Sequence, residues 1–281
     1  MNNISIMAVG TNYKYYIHRN FVCSLYGTGY QGDTYIFTNR RDRPETAGLK
    51  GNFFDIESYI PKTIDIHIQN YRFKMFQDFL EQTDINGEYI LFTDYRDLIF
   101  QKNINLYPLG DADIYLFAED QIFDRCGFNG PNMEKIKKDL YPDINYGQES
   151  IICCGTIIVK KDKAIDFLKN YYKYIRQALD YLNPHEKRTI YSDQTMLNYM
   201  YYTDNIGLTT KVLTNKDNLV NTMGYAVKPE INTAKVNKQG YIVNVNDEVS
   251  YMGHQYDRLD HASLQNMFQK FPFMRTGSVI L

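Results

Sequence analysis

The chain has 281 residues, 44% of them hydrophobic, enough to bury a sizeable core in one large α/β domain or in one domain with a small appendage. Its 31 basic and 33 acidic residues leave a formal net charge of -2, so composition gives no reason to expect nucleic acid or an acidic membrane as partner. No apolar run approaches the roughly 20 residues that span a bilayer, and strand-like residues 4–9 begin almost at Met1, leaving no room for a secretory signal; a cytoplasmic location is expected.

Strand and helix patterns alternate along the chain. Residues 4–10 read as a strand, 15–26 as a helix and 33–38 as a second strand, with Gly27, Gly29 and Gly32 punctuating the return. Residues 39–52 read as a loop rich in Arg, Gly and Pro. A short strand is expected at 64–68, then a helix at 71–81 with Phe73, Phe76 and Leu80 on one face, then a strand that ends at Asp94. Residues 113–118 and 151–159 predict further strands, separated by an irregular segment at 126–131. The helix expected at 163–182 carries Ile165, Phe167, Leu168, Tyr172 and Ile175 as an apolar stripe, which marks core. A polar loop with Pro184, His185 and Lys187 leads to a helix at 193–202. Short β pieces follow at 211–213, 240–245 and 249–252, the last two joined by an Asn246-Asp247 turn, and a helix at 261–270 closes the pattern. There is no internal repeat and no low-complexity linker. This order predicts an α/β fold with a mainly parallel central sheet flanked by helices and a small β-rich C-terminal portion.

The stretch Glu88 to Asp97 carries the strongest chemical signal. Apolar Tyr89 to Phe92 suit a strand covered on both faces, and ligands in open α/β sheets gather beyond the carboxyl ends of such strands. Asp94 falls at that end, and Asp97, one tight turn later, can swing back to offer a second hard oxygen ligand to Mg²⁺ or Mn²⁺. Alternatively, Asp94 caps the turn and Asp97 pairs with Arg96 or a surface lysine. Cys23, Cys126, Cys153 and Cys154 lack zinc-type spacing and read as reduced thiols, the adjacent pair as small buried residues. Gly10 to Tyr13 lie where a base and ribose dock in a doubly wound sheet, or else form a turn in which Asn12 supplies local hydrogen bonds. Arg72 suits phosphate oxygens or a solvated helix face. Asp193, beside the potential cap Ser192, suits an ordinary helix start as well as a site.

In order, Gly10-Thr11-Asn12-Tyr13, Arg72, the Asp94/Asp97 strand end, Cys154-Gly155-Thr156, Ser192-Asp193-Gln194 leading to Asn198, and His254-Gln255-Tyr256-Asp257-Arg258 resemble the GT-A glycosyltransferases. Among these the chain resembles the family 8-like group of glycogenin and bacterial lipopolysaccharide galactosyltransferases, with related viral and bacterial enzymes that share the His-Gln-Tyr-Asp-Arg ending. The resemblance runs from about Ile4 to Arg258. It implies one GT-A (Rossmann-like) catalytic domain over residues 1–281, with a nucleotide-binding part at about 1–120 and an acceptor and C-terminal part at about 121–281. The implied activity is that of a hexosyltransferase, moving a sugar from a nucleotide donor, expected to be a UDP-sugar, to a hydroxyl on a glycan, lipid-linked or protein acceptor.

The same resemblance implies residue roles. Asp94 and Asp97 stand for the family's Asp-x-Asp pair, here spaced Asp-x-x-Asp, with Asp97 on the metal and Asp94 shared between metal and ribose. His254 is the third ligand, and the carboxylate-imidazole set favours Mn²⁺ over Mg²⁺. Gly10, Thr11, Asn12 and Tyr13 meet the nucleotide, with Tyr13 stacked on the base, and Arg72 meets the diphosphate or donor sugar. Gly155 and Thr156 bring backbone close to that sugar. Asp193 binds its hydroxyls, and Gln194 lies beneath the anomeric carbon. Retention of configuration follows from that pairing; the inverting alternative makes Asp193 or Glu149 the general base. A non-catalytic nucleotide-sugar-binding protein on the same fold is the alternative of another class. A haloacid-dehalogenase-type phosphatase is disfavoured, since its nucleophile lies near the N-terminus in an Asp-x-Asp-x-Thr/Val pattern.

Overall fold

The computed structural model describes residues 2–61, 66–140, 145–180, 193–224 and 233–274, without the side chains of 136–140. The expected polar loop around His185, the Ser192 cap and the first part of the strand expected at 64–68 lie outside the described residues. The remainder of that expected strand is corrected: His67 caps the following helix through Gln69 N–H, and Ile68 is already helical.

In chain order the elements are β1 (Ile4–Val9), α1 (Tyr15–Gly27), β2 (Thr34–Thr38), the single turn α2 (Arg43–Thr46), β3 (Asn52–Asp55), α3 (Ile68–Gln82), β4 (Tyr89–Thr93), β5 (Leu98–Phe100), β6 (Ile114–Ile122) and α4 (Asn129–Leu140). There follow β7 (Ser150–Lys160), α5 (Lys161–Asp180), α6 (Asp193–Tyr202), β8 (Thr210–Leu213), β9 (Val220–Thr222), β10 (Lys235–Val236), β11 (Ile242–Val243), β12 (Met252–His254) and α7 (His261–Lys270).

Seven strands form the central sheet in the order β3-β2-β1-β4-β7-β6-β8. All neighbours are parallel except β7, which runs antiparallel to both β4 and β6. The sheet is therefore mainly parallel, as the alternating pattern predicts. Each residue of β4 is buried because helices cover both faces. Alternation sorts its side chains: Ile90 and Phe92 join Met7, Phe73, Phe76 and Phe79 on the face packed by α3 and α5, whereas Tyr89 and Leu91 join Ile6, Ala8, Phe21 and Leu25 on the face packed by α1. The core stripe of α5 contains Phe167, Leu168, Tyr171 and Ile175, so Tyr171 takes the place expected for Tyr172. No helix among the described residues is long and apolar enough to cross a membrane.

A second sheet of three strands has the order β5-β12-β9 and rests on a smaller core that includes Ile99, Met223, Ile242, Tyr256, Leu264 and Met267. The strands expected at 240–245 and 249–252 are shorter and displaced. Asn244 accepts the N–H groups of Asn246 and Glu248 through its side chain, and Asp247 takes φ 58°, so the turn forms. The chain beyond it then pairs with β5 and β9 rather than back on β11, apart from one bridge between Val243 and Val249. That choice carries His254 to the end of β12.

Candidate functional site

Two connections bring the expected metal ligands together. β4 ends at Thr93, so Asp94 begins the turn at the carboxyl end of a central parallel strand, and Asp97 ends that turn just before β5. β12 then aligns His254 opposite Leu98, while Gln255 N–H donates to the Asp97 carbonyl at 2.7 Å. His254 Nε2 consequently lies 3.3 Å from Asp94 Oδ2 and 3.8 Å from Asp97 Oδ1. Among the described residues, these three form the one group of ligand-type side chains whose atoms all fall within 4.8 Å of one another. The Asp94 carboxylate oxygens face Arg72 and His254, and among the described residues no backbone N–H of the turn donates to them. Arg96 approaches Asp97 at 3.6 Å but lies closer, at 3.0 Å, to Asp257.

Arg72 organises the charges behind the triad. It is buried on α3, not on a solvated helix face, and one Nη donates to Asp94 while the other donates to Asp193 Oδ2 at 3.1 Å and the Cys154 carbonyl at 3.3 Å. Burial alone would lift the Asp94 carboxyl, but Arg72 and His254 hold it well below the usual carboxylate range. Burial pushes Asp97 up, reinforced by the like charge of Asp94, and it pushes Asp193 up against the pull of Arg72. Burial would lower the His254 pKa, yet contacts including its hydrogen bond to Asp94 and the charge of Asp97 raise it well above the ordinary imidazole value. The Asp97 carboxylate, 6% exposed, accepts no hydrogen bond among the described residues. A half-buried carboxylate, a buried one without a donor among the described residues, and an imidazole nitrogen facing both are a set that a divalent cation satisfies.

The triad adjoins a cleft of about 590 Å³ whose lining includes Tyr13, Arg72, Asp94, Asp97, Asp193 and Gln194. Thr11 also lines it; Gly10 and Asn12 do not. A Cβ on Gly10 would fall 2.5 Å from Tyr95 Cδ1, so the bare glycine seats the Tyr95 ring, and Tyr13 stacks on that ring at 6.4 Å and 14°. Asn12 adopts a left-handed φ of 62°, which Asn tolerates, and its N–H donates to Asp42 Oδ2 at 2.6 Å. The turn and the cleft wall are thus both present in one tetrapeptide.

Gly155 and Thr156 lie behind the cleft. The Gly155 carbonyl accepts the Asp94 N–H at 2.7 Å, and a Cβ there would come within 2.6 Å of Asp94 Oδ2 and 2.7 Å of His254 Nε2. Its bareness leaves room for these two side chains. Thr156 is fully buried, opposite Thr93 in the sheet. Asp193 opens α6 and accepts Gln194 N–H at 2.9 Å, so it serves the helix start and the Arg72 pair together. Glu149, the other base named for the inverting alternative, is exposed and does not line the cleft.

Several lining residues are missed by the sequence reading: Tyr95, Phe128 and Asn129, which carry no local signal of a site, and Glu119. Glu119 is 5% exposed inside β6, which continues past the expected end at Ala118 through a register shift. Asn129 begins α4 within the segment expected to be irregular. A carboxylate directly following an apolar strand is the one clue that points to Glu119.

No protein-family model matches the chain, and no curated protein matches it by sequence. Solved structures do match. A galactosyltransferase, LgtC, in complex with donor and acceptor sugar analogs superposes with a TM-score of 0.56 at 13% identity, covering 99% of this chain and 97% of that one. A structure of LgtC with an active-site glutamine replaced by glutamate gives a TM-score of 0.55 at 14% identity, covering 94% of each chain. The chain has the GT-A fold of these structures over nearly its whole length.

Proposed function

We propose that the protein is a metal-dependent glycosyltransferase that moves a sugar from a UDP-sugar to a hydroxyl acceptor with retention of configuration. The observation that carries this reading is the convergence of Asp94, Asp97 and His254 beside a cleft that also holds Arg72, Asp193 and Gln194, on the fold of a galactosyltransferase. Residues up to about 120 serve the nucleotide, and the later part of the chain serves the acceptor while also contributing Asp193, Gln194, His254 and Arg258 to the donor side.

Asp94, Asp97 and His254 hold a divalent cation, Mn²⁺ or Mg²⁺. When bound, that cation neutralises charge growing on the departing diphosphate. Tyr13, backed by Tyr95, stacks on the base. Arg258, which lines the cleft with Nη1 on Gln255 Oε1 at 2.9 Å, supplies further positive charge to the phosphates. Asp193, fixed by Arg72, receives sugar hydroxyls. Gln194 turns a polar group towards the anomeric carbon, and a diphosphate oxygen takes the acceptor proton. Retention is favoured because Asp193, the candidate base for inversion that lines the cleft, is already paired with a buried guanidinium.

A thermal-shift panel of nucleotide-sugars with and without Mn²⁺, followed by a hydrolysis and transfer assay, tests this. A UDP-sugar is expected to raise the midpoint in a Mn²⁺-dependent way and to be turned over. Binding of UDP with no hydrolysis or transfer of any sugar in the panel would instead identify a non-catalytic binding protein. Gly155→Ala tests the metal assignment independently. The new methyl displaces the ends of the Asp94 and His254 side chains, so Mn²⁺ affinity by calorimetry should fall about 10–100-fold. Unchanged affinity would place the cation elsewhere.

A further inference from the structure

The terminal amide of a glutamine has two nearly isosteric ends, and its last torsion is broad and roughly two-fold, so the side chain does not choose which end it presents. The surroundings of Gln194 do choose. Its Nε2 donates to Glu119 Oε1 at 3.2 Å and to Asn129 Oδ1 at 3.1 Å, which uses both N–H bonds. Among the described residues its Oε1 accepts only the Cys154 N–H, at 3.4 Å, and a weak contact from the Cys154 thiol. Reversal would press Oε1 against a carboxylate oxygen and set an NH₂ group against a backbone N–H, so both ends oppose it.

The neighbours of Gln194 are themselves fixed. Asn129 Nδ2 donates to Cys126 Sγ at 3.5 Å, which leaves its Oδ1 for Gln194. Asn198 Nδ2 donates to the Gln194 carbonyl at 2.7 Å and to the Ile152 carbonyl at 2.7 Å, while Asn198 Oδ1 accepts Ile152 N–H at 2.7 Å. Backbone and side chain are thus anchored to β6, β7 and α4 at once. Glu119 and Asn129 are 5% and 7% exposed, burial that a carboxylate or amide sustains only with partners.

Resting on the transferase reading above, we propose that Glu119 and Asn129 are positioning residues. They hold the Gln194 amide with its hydrogens engaged and its carbonyl oxygen as the end offered to the donor sugar. Positive charge develops at the anomeric carbon as the diphosphate departs. An oxygen fixed beforehand stabilises that charge without reorganising, whereas an N–H would oppose it.

Glu119→Ala is expected to lower kcat about 30–100-fold with donor KM within about threefold, and Glu119→Gln, which retains an acceptor oxygen, to recover most of the loss. In a Gln194→Ala background Glu119→Ala should have no further effect. A loss expressed in donor KM, an equal loss in Glu119→Gln, or full additivity with Gln194→Ala overturns the inference. Slow hydrogen exchange of the Gln194 side-chain amide in ¹⁵N-labelled wild type, lost in Asn129→Ala or Glu119→Ala, checks the lock without turnover. Free exchange in wild type overturns it even if the enzyme is active. Absence of turnover with a protected amide sinks the transferase reading alone, so the two failures are distinct.

Discussion

Replacing His254 by alanine should lower sugar transfer by about a thousandfold, equivalent to about 4 kcal/mol of transition-state stabilisation. The ring is completely buried and its Nε2 faces both carboxylates, so solvent cannot substitute for it at the same position. Removing it leaves a two-carboxylate site in which the charge of Asp94 and the burial of Asp97 oppose full ionisation. Mn²⁺ affinity by calorimetry should fall with activity, and chelation of wild type should reproduce the loss. The carboxylates are not equivalent in this test. Asp97→Asn removes a ligand that accepts no hydrogen bond, whereas Asp94→Ala also strips Arg72 of a partner and adds a stability defect. Transfer at the wild-type rate by His254→Ala, or by wild type in excess chelator, would rule out the proposed centre.

Arg72→Met should destabilise the protein by about 3–5 kcal/mol, because it leaves Asp94 and Asp193 without the guanidinium between them. The side chain is 8% exposed, so the lost charge is not replaced by water. Arg72→Lys should recover only part of the loss, as a single ammonium cannot span both carboxylates and the Cys154 carbonyl in the same fork. Urea unfolding of the metal-free proteins measures the difference. A change below about 1 kcal/mol for Arg72→Met would mean that the pairs contribute no more than exposed ones do.

The parts legible in the sequence are those with local causes. Five consecutive buried residues mark β4 and therefore the position of Asp94, and the 193–202 helix begins where its acidic first turn suggests. The direction of β7 has no local signature, since an apolar strand packs equally well either way and only its neighbours β4 and β6 decide. β3 reads as loop because Asn-Phe-Phe-Asp is short and only half-buried, and pairing with β2 makes it a strand. Gly253 likewise conceals β12, whose extended form comes from β5 and β9. The site divides in the same manner. His254 and Gln194 stand out through their resemblance to a family pattern of motifs, whereas Glu119 and Asn129 matter through what they touch across 75 and 65 positions of chain.

β12 lies between β5 and β9, and its histidine is 160 positions from the carboxylate it faces. On a ribosome adding about 5–20 residues per second, Asp94 precedes His254 by roughly 10–30 s. For that interval the nascent chain carries the acidic pair and Arg72 without the imidazole. Insertion of β12 completes the triad and the second sheet in one step, so on the proposed reading tight cation binding would report that synthesis has passed β12. A chain halted before Met252 lacks β12 and, with it, His254.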